Sequence, residues 1–241
     1  MPISRPFAAL VFDLDGTVLA THDLIAATIN RVLVQRGFPV AEVAAVGAMS
    51  GLPLETIFET VLPPAAVEQA LGCIADYRAL FDRDVIPAVL PIEGAPEALR
   101  AIAATKRWPL AIATGRLGTT ARQMLGHTGL LHFFTAVVGI DVVPRPKPYP
   151  DVLFRALDDL GGLPATDVLM IGDTAADVAV ARSAGAPVCA VTWGAQEREP
   201  LLRSSPDWCV DTWDELLDLL GVTLPAGAAG TPAAPDRDPA D

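Results

Sequence analysis

The sequence predicts an α/β protein, a parallel sheet with helices on both faces and one long helical insertion. Three observations carry this expectation. Short apolar runs recur at Ala8–Phe12, Leu110–Ala113, Ala136–Gly139, Val168–Ile171 and Val188–Val191. Between them lie Thr119–Leu125, Asp151–Leu160 and Thr174–Ala184, with apolar residues at helical spacing. Apolar strands alternating with helices are what a sheet buried on both faces requires. The third observation is the gap from Phe12 to Leu110, far longer than a single crossover needs.

Each element follows in order. The run Ala-Ala-Leu-Val-Phe makes strand one and stops at Asp13. Asp23–Arg36 then reads as an amphipathic helix, with Ile25, Ile29, Val32 and Leu33 on one face. Leu54–Val61 and Ala65–Phe81 read as further helices, with no convincing strand between them. Gly47–Pro53 is expected to be a loop between helices. Pro91-Ile92-Glu93-Gly94 returns the chain to the sheet, and Ala95–Ala104 is the helix leading into strand two. A late strand, Trp208–Val210, and a helix, Asp214–Leu220, complete the ordered part. The 225–241 stretch, PAGAAGTPAAPDRDPAD, has no large apolar residue to offset its ordering entropy. The expected division is a Rossmann-like core of residues 1–18 and 89–222, a helical insertion of residues 19–88, and a disordered tail of residues 223–241.

Composition narrows the function. The chain has 241 residues, 51% hydrophobic and 19% charged, which excludes wholesale disorder. Mean hydropathy is +0.40, yet no apolar run approaches the roughly 18 residues of a membrane span. The N-terminus lacks a signal-peptide layout, so a cytoplasmic protein without membrane attachment is expected. Seventeen basic residues against 29 acidic ones give a net charge of −12, which argues against nucleic acid as a partner. It leaves a small phosphorylated metabolite open, because a few local cations can dominate one pocket. Cys73, Cys189 and Cys209 have neither disulfide nor zinc spacing and read as reduced thiols.

The chemistry sits where strands end. Asp13-Leu14-Asp15-Gly16-Thr17 follows strand one, and a buried strand does not end in two carboxylates without a use for them. At the carboxyl edge of a parallel sheet they can share a divalent cation and act on one phosphate. Gly172-Asp173-Thr174-Ala175-Ala176-Asp177 follows Val168–Ile171, and its two carboxylates, one helical turn apart, can face one point. Helix capping explains them equally well. Thr114-Gly115 ends Leu110–Ala113 and offers a hydroxyl and an N–H to phosphate oxygens. Lys147 stands between Pro146 and Pro148, which restrain its backbone. All four motifs can meet at one sheet edge.

Together and in this order, the four motifs resemble the haloacid dehalogenase superfamily over roughly residues 7–220. The insertion resembles its first class of helical cap. Within the superfamily the chain is most similar to phosphoglycolate phosphatases, through Pro146–Pro150, Gly172–Gly185 and Val191-Thr192-Trp193-Gly194. It departs from them at Ala20-Thr21, where an Asp-Ser pair is usual, and at Thr114-Gly115-Arg116, where Thr-Asn-Lys is usual.

The resemblance implies a Mg2+-dependent phosphatase for a small organic phosphomonoester, phosphoglycolate-like, as a monomer or homodimer. It implies Asp13 as nucleophile, forming an aspartyl-phosphate, and Asp15 as acid and then base. It further implies Asp13, the Asp15 carbonyl and Asp173 as metal ligands, with Asp177 in support. Thr114, Gly115 and Lys147 would bind the phosphate. Arg116 is placed to meet a substrate anion or to form a surface salt bridge. Ser50 and Gly51, in the Gly47–Pro53 loop, are candidates for the substrate-facing segment. Asp15 argues against dehalogenation, which needs no acid for an alkoxide. Residues 19–88 contain no lysine, which argues against the Schiff-base route of phosphonate hydrolysis. Two alternatives remain. One is a phosphomutase of the β-phosphoglucomutase type, which carries a cap histidine at a set distance from its nucleophile; His22 lies too close to Asp13 in sequence to match it. The other is a catalytically idle binding protein. His22, His127 and His132 cluster with no motif in sequence and are expected to be structural or exposed. Trp108, Trp193, Trp208 and Trp213 read as packing residues.

Overall fold

In the computed structural model of the protein, residues 7–49 and 51–224 are described; Ser50 and most of the expected tail lie outside the described residues. Six strands form one parallel sheet: β1 (Ala9–Phe12), β4 (Leu110–Ala113), β5 (Ala136–Val138), β6 (Val168–Gly172), β7 (Val188–Val191) and β8 (Trp208–Val210), in the order β5-β4-β1-β6-β7-β8. Every residue of β1, β4, β5, β6 and β7 is buried. Alternate residues therefore serve opposite faces. Leu10, Phe12, Leu110, Ile112, Leu169 and Ile171 point into one apolar cluster, and Ala9, Val11, Ala111, Ala113, Val168 and Met170 into the other. The first cluster takes in α5 (Ala95–Ala104), α6 (Gly118–His127) and α10 (Trp213–Leu220). The second takes in α7 (Asp151–Asp159) and α8 (Ala175–Ala184), where the small strand residues let the helices lie close.

The insertion is helical as expected. It leaves the core through β2 (Leu19–Ala20) and returns through β3 (Leu90–Pro91), which pair antiparallel, Leu19 with Pro91 and Ala20 with Leu90. Between them come α1 (His22–Gln35), α2 (Val43–Ala48), α3 (Leu54–Val61) and α4 (Ala70–Leu80). Ile29, Val32 and Leu33 of α1 are buried, whereas Ile25 is only partly so. Phe58, Tyr77 and Phe81 stack in series, with ring centroids 6.2 and 5.5 Å apart.

Two expectations need correction. Ala65–Phe81 is not one helix. A tight 3-10 segment, Pro64–Gln69, precedes α4, and a wider π turn, Phe81–Val85, follows it. Pro64 in the first turn tolerates the tight winding because no donor is needed there. Gly47–Pro53 is not wholly loop, since Gly47 and Ala48 end α2; the alanines around Gly47 keep the turn helical. Sequence patterning also gave no signal for the six-residue α9 (Arg198–Arg203). No helix among the described residues is long and apolar enough to cross a membrane.

Candidate active site

Sheet register brings the four motifs to one edge. Phe12 pairs with Ile112 on one side and Ile171 on the other, so Asp13, Thr114 and Asp173 emerge together at the carboxyl ends of β1, β4 and β6. The Asp13 N–H donates to the Ile171 carbonyl at 2.8 Å, extending the ladder by one residue. Asp13, Thr114, Lys147, Asp173 and Asp177 are all buried.

Each carboxylate has a different set of partners. Asp173 Oδ1 accepts from Thr17 Oγ1 at 2.8 Å; its Oδ2 accepts from the Ala195 N–H at 2.7 Å and lies 3.1 Å from His22 Nε2. Asp177 Oδ2 accepts from the Thr174 N–H at 3.0 Å and the Thr174 hydroxyl at 2.6 Å. Its Oδ1 lies 2.6 Å from Lys147 Nζ, and the same ammonium is 2.8 Å from Asp13 Oδ1. Lys147 thus ties the loop after β5 to both β1 and α8. Burial works against its charge, but Asp13 and Asp177 outweigh burial and hold the ammonium more firmly protonated than a free lysine. Burial pushes the Asp13 carboxyl well above the usual range; Lys147 opposes that rise, while Asp177, Asp173 and Asp15 add to it.

Asp15 faces the insertion. Its Oδ1 accepts from Thr21 Oγ1 at 2.6 Å, and Arg116 Nε reaches Oδ1 and Oδ2 at 2.9 and 2.7 Å. The Arg116 guanidinium lies 4.0 Å over the Phe81 ring. Burial lowers the Arg116 pKa, but Asp15 and Tyr77 more than compensate. Burial, reinforced by Asp15, pushes the Tyr77 hydroxyl up to about 12. Arg116 forms a salt bridge, but a mostly buried one from the first motif towards the insertion, with its Nε engaged by Asp15 while the residue also lines the pocket. Gly51 approaches from the insertion, so that a Cβ on Gly115 would sit 3.1 Å from the Gly51 carbonyl.

Sequence reasoning missed two contributors. His22 is not remote from the motifs. Burial depresses its pKa, but the Asp173 hydrogen bond and the surrounding carboxylates more than reverse that, leaving the imidazole above its ordinary value. The signal was its place on the first turn of α1, right after the first motif. The loop after β7 also reaches the site, through the Ala195 N–H and through Gly194, where a Cβ would overlap Asp173.

Oxygens of Asp13, Asp173 and Asp177 lie within 4.8 Å of one another. Three buried carboxylates face one buried ammonium, an imbalance that a divalent cation neutralises. An all-oxygen donor set suits Mg2+. Asp173 Oδ1 and Asp177 Oδ1 each have a single partner, Thr17 and Lys147, so each keeps a lone pair that a cation can use.

The sequence profile of the haloacid dehalogenase-like hydrolases matches residues 10–191, three quarters of the chain and all four motifs. The chain belongs to the haloacid dehalogenase-like hydrolases. Among its relatives in this family, the protein named "Probable phosphatase IndB" from Dickeya dadantii is 34% identical over 86% of this chain and 91% of that one. A phosphoglycolate phosphatase of Yersinia pseudotuberculosis is 29% identical over 90% and 95%. The solved haloacid dehalogenase-like hydrolase SP0104 of Streptococcus pneumoniae superposes with a TM-score of 0.78 at 28% identity, covering 88% of this chain and 97% of that one. The six-stranded sheet with a helical cap between β1 and β4 is therefore this family's architecture.

Proposed function

We propose that this hydrolase is a Mg2+-dependent phosphatase that cleaves a small organic phosphomonoester through an aspartyl-phosphate. The carrying observation is the buried group of Asp13, Lys147, Asp173 and Asp177 at the ends of β1 and β6. Asp13 and Asp173, with the Asp15 carbonyl, would hold the ion. Bound there, it neutralises phosphate charge and screens Asp13 from its neighbours.

An Asp13 carboxylate oxygen attacks phosphorus, and the bond from phosphorus to the ester oxygen breaks. Asp15 gives that oxygen a proton. In the second step water attacks the aspartyl-phosphate, Asp15 takes a proton from it, and the Asp13 carboxylate leaves as inorganic phosphate forms. Thr114, the Gly115 N–H and Lys147 hold the phosphoryl oxygens, since this chemistry is mostly positioning and charge neutralisation. Asp177 fixes Lys147, and Arg116 fixes Asp15 by contact with both its oxygens. The named relatives make phosphoglycolate one candidate substrate.

Phosphate release from a panel of phosphomonoesters, with and without Mg2+, tests the reading. The expected result is Mg2+-dependent release that Asp13→Asn lowers on the order of a thousandfold or more. A sugar phosphate isomerised without net phosphate release would instead identify a mutase. Full activity in Asp13→Asn would remove the nucleophile assignment.

A further inference from the structure

The core and the cap border a partly open pocket of about 90 Å³. Asp13, Asp15 and Gly115 line its inner end, so a phosphoryl group held there directs its leaving group outward, beneath the cap. The walls met by that leaving group are aliphatic. Ile25, Leu52 and Leu54 come from the cap, Leu117 and Ile140 from the core, and each is only partly buried. Each therefore still has apolar surface to cover, and the five converge on one concavity.

The charges in the lining point the same way. The Nε of Arg116 is engaged by both oxygens of Asp15, whose negative charge offsets the guanidinium's. Arg78, exposed on α4, is outnumbered by Glu55 and Asp82, also exposed, and the His22 imidazole in the lining lies against Asp173. A leaving group bearing a carboxylate or a second phosphate would lose water against aliphatic walls and meet an excess of negative charge.

Resting on the phosphatase reading above, we infer that the preferred substrate is a phosphomonoester whose leaving group is neutral and largely apolar. A short carboxylic acid such as phosphoglycolate, or pyrophosphate, fits this lining poorly.

The test compares 2-phenylethyl phosphate with ethyl phosphate, 2-phosphoglycolate and pyrophosphate, using the full chain with Mg2+. Both neutral esters release primary alcohols, so their comparison reports contacts more than intrinsic reactivity. Acetyl phosphate, an activated substrate that needs no leaving-group contact, reports on the phosphatase reading alone. The expected kcat/KM for 2-phenylethyl phosphate exceeds the other three by about tenfold or more. Turnover of acetyl phosphate with phosphoglycolate or pyrophosphate equal to or better than 2-phenylethyl phosphate would overturn the inference and leave the phosphatase standing. No turnover even of acetyl phosphate would remove both. Leu54→Asn is expected to lower the ratio of 2-phenylethyl to ethyl phosphate by about tenfold, and an unchanged ratio counts against the inference. If that variant fails to fold, Leu117→Asn, on the core side, makes the same test.

Discussion

At the scale of single residues, the site depends on glycines, Gly16, Gly172 and Gly194, whose missing side chains make room for carboxylates. Gly16 turns the chain with φ +77°, and a Cβ there would overlap both His22 and Asp173. Gly194 is the cleaner probe, because its backbone is outside the left-handed region and the atoms nearest an added Cβ all belong to Asp173. Gly194→Ala is therefore expected to fold, displace Asp173 and weaken Mg2+ binding by about tenfold to a hundredfold. Calorimetric titration with Mg2+ measures this directly, and unchanged affinity would argue against Asp173 as a ligand. Lys147 illustrates a related constraint. Its ammonium is enclosed by two carboxylates, so charge balance at the site depends on a side chain thirty residues from Asp177 in sequence.

At the scale of elements, α8 joins stability to the site. Thr174 caps this helix, and Asp177 returns a hydrogen bond to the Thr174 N–H in a reciprocal capping box. Thr174→Ala is expected to cost about 1 kcal/mol by urea denaturation. It also removes the 2.6 Å hydroxyl contact that orients Asp177, so kcat should fall about tenfold with a smaller change in KM. Thr174→Ser should restore both; loss of stability with intact kcat would make Asp177 merely structural. The same helix shows what sequence can and cannot reveal. Val168–Gly172 was legible because a strand buried on both faces must be continuously apolar, and Asp173 because a carboxylate ends that run. Capping and catalysis stayed indistinguishable there, and Asp177 in fact caps α8 while holding Lys147. The cap was harder to read. Its helices α1 and α3 announce themselves by periodicity, but the 3-10 and π turns around α4 depend on packing that periodicity does not encode. The bridge from Arg116 to Asp15 and the approach of Ala195 to Asp173 join residues far apart in sequence, and no local spacing reports them.

At the scale of the whole molecule, a net charge of −12 surrounds a site that is expected to receive a dianion. Long-range repulsion opposes that encounter and is screened by salt. Raising ionic strength from about 10 to about 150 mM at saturating Mg2+ is therefore expected to raise kcat/KM for a phosphomonoester and leave kcat nearly constant. A fall in kcat/KM over that range would show that the cations at the sheet edge dominate the approach. The route of the chain through this assembly has a further consequence. Leu19 and Pro91 are partners across the β2–β3 ribbon, so the cap departs and rejoins at a single point. Exchanging everything between them for another helical segment would leave the order of the six parallel strands untouched. In such an exchange Asp13, Lys147, Asp173 and Asp177 stay with the sheet, whereas Thr21 and His22, which hold Asp15 and Asp173, go with the segment spliced out of that ribbon.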